Sequence, residues 1–508
     1  MKPGGTGAYV GNNGGDQRLP DGMDSVSVAL RALLALVLMV GFYVLAAVVV
    51  LGCWGGAWLL ATQRGHYLPV KLIAILTVAG AVVFWSVLPR WDTFVAPGPR
   101  LEPGKHPRLF STIHEIARKT GQPMPAEVYL VGDVNAFVAH RGGVLGIGSR
   151  PILGLGLPLL QGLSVPELTA VLGHEFGHYV GGDTRIGPWI YKTRAAIVRS
   201  VVNLAETNSV LTFVFLAYMR LFMRVTLAVS HHQEVQADRV SAELTSAATA
   251  ASALRRVHAI APAFTAYWQS EVVPVLERGR RPPIAAGFSS FLRVPRVAEL
   301  VEEGMRAPPA ATVDPYDTHP PLATRLAALG QIQASAGTRA PEAAAVSLLG
   351  SADAAEAALV ASIVRPGTAV VPVTWEAVGT DIYVPDWRAA MKEGPAGDLA
   401  PLDAPAILAG AVNFARRCLG SQRVVPTEEA AAYTHSRLVA MLGLALARSG
   451  WHVVSLPGEP IVLTRDDARV PLDVLVREAN GAHQDDWCAR LAALGLDDEA
   501  QRRPARSC

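Results

Sequence analysis

Two uncharged apolar stretches stand out in the first part of the chain. No formal charge occurs between Arg31 and Arg64, or between Lys71 and Arg90. A helix needs about 20 predominantly apolar residues to cross the hydrocarbon layer of a membrane, so both stretches qualify. A cleaved signal peptide explains them less well, because its apolar part is about 7–15 residues long and ends at a small-residue cleavage site. We therefore predict two transmembrane helices within residues 25–90.

The Lys and Arg residues around these stretches predict an orientation. The connection between the stretches carries Arg64 and Lys71, whereas the outer flanks carry Lys2, Arg18, Arg31, Arg90, Arg100, Lys105 and Arg108. Cytoplasmic flanks of transmembrane helices are enriched in Lys and Arg, so both outer flanks are expected in the cytoplasm. The sequence thus predicts an integral membrane protein, in the cell membrane, with the rest of the chain on the cytoplasmic side.

From about residue 100 the pattern is typical of a globular domain. Helices are predicted at residues 106–120, 164–180 and 186–204, and strands at Glu127–Val131 and Gly143–Ile147. This mixture predicts a mainly α fold with a small β-sheet, in the α+β class.

Two further segments have less regular patterns. Residues 207–219 are apolar but stop at Arg220, which makes them short for a membrane span. They either lie on the membrane, pack inside the domain or form a third span. Residues 278–320 are rich in Pro and Arg, and a loop or linker is predicted there.

Changes of composition divide the chain into four regions. Residues 1–24 are rich in Gly, Asn and Asp and are expected to form a flexible tail, followed by the transmembrane helices at residues 25–90. A globular domain occupies residues 100–335. Residues 340–508 begin with Ala-rich helices and continue with strand-like pieces, so we expect a C-terminal α/β extension there.

Composition and charge exclude several classes of function. Charged residues make up 17% of the chain, against about 25% in an average soluble domain. The net charge of +2 provides no field that would attract nucleic acid, so no nucleic-acid partner is expected. The four cysteines form no CxxC pair, which argues against a disulfide framework and against a cysteine zinc knuckle.

The motif His174-Glu-Phe-Gly-His178 carries the candidate chemistry. Residues i and i+4 share one face of a helix, so both imidazoles can reach one metal ion. Imidazole nitrogens suit Zn²⁺, and a catalytic zinc keeps three protein ligands and a water. Glu175 is placed to take the proton of that water and pass it to the leaving amine. Ser164 and Glu167 match a capping box at the start of this helix.

The third metal ligand must come from another segment. The extended HExxHxxGxxH class is excluded, because Thr184 occupies the position of its third His. Glu234 and Asp238 lie at i and i+4 of a later helix, which suits one carboxylate on the metal and another that orients a ligand His. We favour Glu234 as the ligand. His231 and His232 are rival ligands, or solvent-facing residues near a helix start.

These features together resemble a known family. Two apolar spans, HEFGH with Asp183 downstream, and the sequence from Glu234 to Asp238 that reads Glu-x-x-Ala-Asp resemble the membrane zinc metalloproteases of the HtpX and CAAX prenyl endopeptidase family. The resemblance covers about residues 25–330. It implies a gluzincin-type zinc metallopeptidase domain at residues 100–335.

The resemblance also implies roles for individual residues. One Zn²⁺ ion would be held by His174, His178 and Glu234, with Glu175 as the general base. Asp183, like Asp238, would contact the ligands rather than the metal.

Two shorter segments match the same family. Asn135-Ala136-Phe137 corresponds to an edge strand that pairs with the substrate main chain, although an ordinary turn before a strand is the alternative. His319, in a Thr-His-Pro-Pro segment, would stabilise the oxyanion of the tetrahedral intermediate. Arg325 would pair with a site carboxylate such as Asp238. The alternative for the last two residues is a helix cap and a surface Arg.

The resulting hypothesis is a membrane-bound zinc-dependent endopeptidase that hydrolyses polypeptides with a zinc-activated water. HtpX implies membrane protein quality control or regulatory proteolysis. The CAAX enzymes imply removal of a prenylated tripeptide, which needs more spans than the two predicted. The alternative is an inactive, membrane-anchored zinc-binding scaffold or adaptor, but a structural zinc has four protein ligands and no general base, unlike the site with Glu175. Expected partners are the polypeptide substrate and the lipid bilayer, with residues 340–508 as a candidate surface for a protein partner.

Overall fold

The structure, a computed structural model, describes residues 25–63, 69–88, 94–141, 150–180, 187–207, 209–306, 319–332, 343–365, 369–392, 399–419 and 426–496. The tail predicted at residues 1–24 and the strand predicted at Gly143–Ile147 lie outside the described residues. Helices dominate the described chain and the sheets are small, which confirms the expected mainly α fold of the α+β class.

Helices and short strands follow one another along the described chain. The first are α1 (Ser25–Thr62), α2 (Val70–Val87), β1 (Arg100–Leu101), α3 (Pro107–Thr120), β2 (Glu127–Val131), β3 (Ala136–Arg141), β4 (Arg150–Gly156), α4 (Leu157–Gly162), α5 (Val165–Val180), α6 (Gly187–Glu206) and α7 (Leu211–Leu244). Then come α8 (Ala247–Tyr267), α9 (Val273–Glu277), β5 (Arg280–Arg281), α10 (Ile284–Arg293), α11 (Pro295–Arg306), α12 (Leu322–Gly330), α13 (Ala352–Ile363) and β6 (Val371–Pro372). The last are α14 (Trp375–Val378), α15 (Val384–Lys392), α16 (Ala404–Ala409), α17 (Ala411–Leu419), α18 (Thr427–Arg448), β7 (His452–Val454), β8 (Val462–Arg465), β9 (Ala468–Pro471), α19 (Leu472–Glu478) and α20 (Gln484–Ala493).

The chain divides into two compact units. The smaller unit takes the described parts of residues 1–92, 182–235 and 313–320, and the larger unit takes those of residues 93–181, 236–312 and 321–508. In the smaller unit, an apolar cluster is formed by Phe42 of α1, Val83 of α2, Ile197 of α6 and Phe215 of α7, all of them buried.

Three helices in the described part of the chain are long and apolar enough to cross a membrane: Leu33–Thr62 within α1, then α2, and α7. The first two coincide with the two helices predicted from the sequence within residues 25–90. The third, α7, begins at Leu211 and continues through Arg220 for 34 residues in all, which is long enough for the third span that the sequence left open. Arg is a good helix former, and its long side chain carries the charge away from an apolar stretch, so Arg220 and Arg224 do not end the helix.

A four-stranded sheet lies in the larger unit. Its strand order is β1-β2-β4-β3, with β2 and β4 parallel and the other pairs antiparallel. Strand β2 has the predicted bounds. Strand β3 lies at the edge of the sheet. The inner faces of β2 and β4 pack on α3 and α5 through Leu130, Leu153, Ile113 and Leu172, all of them buried.

Helices α3 and α5 form where their sequence signals predict. α3 ends at Gly121, whose φ of 66° is the left-handed conformation that glycine adopts at helix ends. The predicted loop at residues 278–320 is wrong, because α10 and α11 lie inside it. Pro283 immediately precedes α10 and Pro295 is the first residue of α11. The first N–H groups of a helix have no partner within the helix, so proline, which lacks an N–H, is tolerated there. These prolines therefore begin helices rather than interrupt them.

The described residues after 340 also belong to the larger unit and contribute to several cores. Residues 345–359 contribute Ala345, Leu348 and Leu359 to the core that includes α3 and α5. Further along the chain, Trp387, Phe414, Leu442, Leu475 and Trp487 form a separate core with the antiparallel sheet β7-β8-β9.

Candidate metal site

Helix α5 begins with the reciprocal cap that the sequence predicts. The main-chain N–H of Ser164 donates to Glu167 Oε2 over 3.0 Å, and the N–H of Glu167 donates back to Ser164 Oγ over 3.4 Å. These bonds satisfy donors that have no partner inside the helix. The HExxH residues therefore stand on a helix whose first turn is capped by its own side chains.

Two glycines allow α5 to approach the last part of α7 closely. A Cβ on Gly173 would meet the side chain of Leu244 and the Cα of Ser241, and a Cβ on Gly177 would meet the backbone of Ala237. The buried Ser241 hydroxyl also donates to Ala170 O over 2.7 Å. Sequence reasoning missed these residues, although the Gly inside HEFGH was a signal of close helix packing.

Three side chains with metal-binding atoms converge on α5 and α7. The ligand-type atoms of His174, His178 and Glu234 all lie within 4.8 Å of one another. The two imidazole rings have centroids 4.8 Å apart and are nearly perpendicular. The Glu234 carboxyl is buried. This group contains the three ligands proposed from the sequence. The rival residues His231 and His232 are not in it.

His231 and His232 also differ from the expectation about their helix position. The sequence placed them near a helix start, whereas both lie in the interior of α7, which begins at Leu211. Both side chains are partly buried.

Asp238 and Arg325 form a buried support behind His174. Asp238 Oδ1 lies 2.9 Å from His174 Nδ1. The Arg325 guanidinium donates to both oxygens of Asp238, from Nε over 2.8 Å and from Nη2 over 2.6 Å. Burial by itself raises the pKa of the Asp238 carboxyl, but the hydrogen bonds from Arg325 and His174 outweigh it and hold the pKa below its ordinary value. An ionised Asp238 accepts the Nδ1–H of His174 and leaves Nε2 for a metal.

His319 lies beside the candidate ligand from α7. Its Nδ1 atom is 3.0 Å from Glu234 Oε1, and 60% of its side chain is exposed. The structure therefore places His319 beside Glu234. The other acidic residue inferred from the resemblance, Asp183, lies outside the described residues.

Comparison with known proteins identifies the family. Peptidase family M48 matches residues 103–333 of the chain. A protease HtpX homologue of Tropheryma whipplei (strain Twist) is 31% identical over 231 residues, which cover 41% of this chain and 76% of that relative. The chain belongs to peptidase family M48.

Other M48 relatives match shorter parts of the chain. Protease HtpX of Mannheimia succiniciproducens is 28% identical over 169 residues, which cover 30% of this chain and 58% of that protein. Protease HtpX of Idiomarina loihiensis is 32% identical over 116 residues, covering 22% of this chain and 38% of that protein. No solved structure matches the chain. With its three candidate membrane helices, the chain is an integral membrane metalloprotease of the HtpX-like M48 type, which confirms the resemblance.

The predicted segment Asn135-Ala136-Phe137 lies at the start of β3, at an edge of the described four-stranded sheet. Strand β3 starts at Ala136, and Asn135 O accepts a hydrogen bond from Gly156 N over 2.8 Å. Phe137 lies opposite Gly154, where a Cβ would collide with the Phe137 ring. Ala136 shares a core with Phe176 of the HExxH motif. Strand β3 therefore lies close to the helix that carries His174 and His178.

Proposed function

We propose that the chain is a zinc-dependent endopeptidase with one Zn²⁺ ion, held by His174, His178 and Glu234. The observation that carries this proposal is the convergence of these three side chains with Glu175 on the same helix turn. The donor set is two imidazoles and one carboxylate, which suits a catalytic zinc that keeps a position open for water.

The contacts behind the ligands fit this metal. A ligand His commonly donates its second ring N–H to a carboxylate, which fixes the ring and its tautomer. His174 has such a partner in Asp238, which Arg325 holds by two hydrogen bonds. The buried Glu234 carboxyl is a costly group to place in a protein interior, and a cation beside it offsets that cost.

Each side chain then has a definite task in peptide hydrolysis. When bound, zinc lowers the pKa of water and polarises the substrate carbonyl. Glu175 takes the proton from the attacking water and delivers it to the departing amine. His319 donates a hydrogen bond to the oxyanion that develops on the carbonyl oxygen. Asp238 keeps His174 in the correct tautomer, and Arg325 keeps Asp238 ionised and in place.

The edge strand supports binding of polypeptides without strict sequence preference. An extended peptide that adds to a free sheet edge gains main-chain hydrogen bonds, which are the same for every sequence. We assign this role to Asn135-Ala136-Phe137 at the start of β3. Such binding suits an enzyme of membrane protein quality control or regulatory proteolysis. The Lys and Arg distribution supports a catalytic domain on the cytoplasmic side of the cell membrane.

The experiment compares purified full-length protein in detergent with a Glu175→Gln variant. Zinc content is measured by mass spectrometry, and cleavage is measured on an unfolded protein substrate. Glu175→Gln is expected to keep one zinc per chain and to lose about 10²–10⁴-fold in cleavage rate, because only the proton acceptor is removed.

The chain supplies a matched control for this experiment. His114-Glu115 begins like the motif, but Glu115 is exposed on α3 and pairs with Lys119. Glu115→Gln should leave both zinc content and cleavage unchanged. Wild-type cleavage by Glu175→Gln, or a wild-type chain that binds no zinc, would contradict the proposal.

A further inference from the structure

The chain that follows the M48 region returns to the start of the HExxH helix. The N–H of Val165, the first residue of α5, donates to Ala343 O over 2.9 Å. The N–H of Ala345 donates to Leu163 O over 2.8 Å. Ser164, which caps α5, and Ala344 form an antiparallel bridge between these two bonds. A segment distant in sequence thus binds a helix N–H that has no partner within the helix.

The same segment is buried against α5 and its neighbours. Ala345, Leu348 and Leu349, and then Leu359 of α13, share one core with residues of α4 and α5. The members of that core on α4 and α5 are Leu157, Leu159, Leu160, Leu168, Leu172 and Phe176. The segment is therefore packed on the helix that carries the motif as well as hydrogen-bonded to its start.

Glu356 of α13 makes a second attachment. Its two carboxylate oxygens accept hydrogen bonds from the first N–H groups of α10, from Ile284 over 2.8 Å and from Ala285 over 2.7 Å. Arg281 Nη1 lies 3.5 Å from the same carboxylate. Helix α10 is in turn tied to α4, because the Gln161 amide donates to the Ser289 hydroxyl.

We propose that residues 343–363 form a clamp that positions the start of α5, and with it His174, Glu175 and His178. Glu356 is the positioning residue of this clamp. The active unit of this chain then extends beyond the 103–333 region that defines its family. This inference rests on the proposed function only where it concerns catalysis.

The geometry explains why a clamp at this end of α5 affects the site. A helix rises 1.5 Å per residue, so His174 lies about 13 Å from Val165 along a rigid rod. Freeing the start of the helix lets its far part shift and tilt. A misplacement of about 1 Å at a catalytic group can reduce a rate by about 10²-fold.

The first test removes one hydrogen bond of the clamp. Ala345 begins a short helical turn, and Ala344 before it has φ −59° and ψ 138°, which a following proline favours. Ala345→Pro therefore removes the donor to Leu163 O at an acceptable backbone position. Ala345→Val adds similar bulk to the same buried position and keeps the N–H, so it is the matched control.

The readouts separate positioning from general loss of structure. In folded Ala345→Pro we expect hydrogen–deuterium exchange of the Val165 amide to accelerate by at least tenfold. The d–d absorption of the Co²⁺-substituted protein should change, and kcat should fall while KM stays within twofold. Ala345→Val should match the wild type in all three. Wild-type exchange at Val165 together with wild-type kcat in Ala345→Pro would overturn the proposal.

The second test uses Glu356 and decides the question where Ala345→Pro does not fold. Glu356→Ala should accelerate exchange at Ile284, Ala285 and Val165 and should lower kcat. Glu356→Gln keeps a hydrogen-bond acceptor, so its exchange rates and its kcat should stay close to those of the wild type. A folded Glu356→Ala protein with wild-type exchange at Val165 and wild-type kcat would contradict the clamp. Exchange needs neither zinc nor proteolysis, so a wild-type chain without activity would refute the proposed function and still leave the clamp measurable.

Discussion

Arg325 holds Asp238 by two hydrogen bonds, of 2.8 and 2.6 Å, and both side chains are buried. The two residues lie far apart in sequence. Arg325 makes its contact from the first turn of α12, and Asp238 lies on α7 one turn after Glu234. A planar guanidinium that binds a carboxylate with two donors fixes its direction as well as its charge. Asp238 is consequently aimed at Nδ1 of His174.

Replacement of Arg325 by Lys should weaken zinc binding and stability together. Lys has a single point charge and cannot reproduce the two-donor contact. We expect a 10–100-fold loss of zinc affinity, about the range for a partner of a metal ligand, measured by competition with a chelator. The melting temperature should fall, because Asp238 loses part of its buried pairing.

An exposed pair provides the control for this substitution. Arg306 contacts Glu302 one helical turn away, and both side chains are exposed. Arg306→Lys should change neither zinc affinity nor melting temperature. Equal zinc affinities for wild type and Arg325→Lys would show that the Asp238 contact does not support the ligand His.

Gly177→Ala should disturb the site by steric means alone. The added Cβ meets the Cα and carbonyl of Ala237, which belong to backbone and cannot rotate away. Forcing a methyl group into such a contact costs about 1–3 kcal/mol. We expect a lower melting temperature and reduced zinc content. Gly55→Ala in α1, where nothing lies near the added Cβ, is the control and should be neutral. An unchanged melting temperature for Gly177→Ala would mean that α5 and α7 are less tightly packed.

Local signals account for the elements that the sequence predicts well. The cap of Ser164 and Glu167 predicts the start of α5, and Gly121 predicts the end of α3. The residue types of His174, His178 and Glu234 and the helical spacing of the two His residues also predict a shared metal site, because a metal ion accepts few ligand types and residues i and i+4 lie on one face of a helix. The cap and the helix end need no knowledge of distant parts of the chain, whereas Glu234 lies on a different helix from the two His residues.

The features that escaped prediction depend on distant contacts. Strand β4 contains Gly154 and Gly156, which lower strand propensity. In the fold, the Phe137 ring and backbone atoms occupy the space that a Cβ at these two positions would need. The prolines of α10 and α11 suggest a loop until their positions at helix starts are known. The clamp at residues 343–363 has no local signature, because Val165 and Ala343 meet only in the folded chain.

His319→Asn should lower kcat more than it lowers zinc binding. If His319 stabilises the oxyanion, removing that donor costs about 10²–10³-fold in kcat. Its contact with Glu234 Oε1 is made by one exposed side chain, so zinc content should stay within a few fold of the wild type. His452, exposed on β7, is a matched control, and His452→Asn should be neutral. A parallel loss of zinc and kcat in His319→Asn would instead assign His319 to support of Glu234.

The pH dependence of stability should carry a contribution from Glu356. Burial raises the pKa of its carboxyl above the ordinary value, although the N–H groups of Ala285 and Ile284 and the charge of Arg281 oppose this. A raised folded-state pKa means that the contribution to stability is complete below the ordinary pKa of Glu and is lost as the pH rises through the folded value.

The Glu356→Gln variant tests this sign, because Gln cannot ionise. The melting temperature of the wild type minus that of Glu356→Gln should be largest near pH 4 and should shrink toward pH 8. The exposed residue Glu115 gives the control, since its pKa is lowered by the hydrogen bond from Lys119 rather than raised. The melting temperature of the wild type minus that of Glu115→Gln should therefore not decrease with rising pH. A wild-type advantage over Glu356→Gln that grows with pH would show that the hydrogen bonds to the carboxylate outweigh its burial.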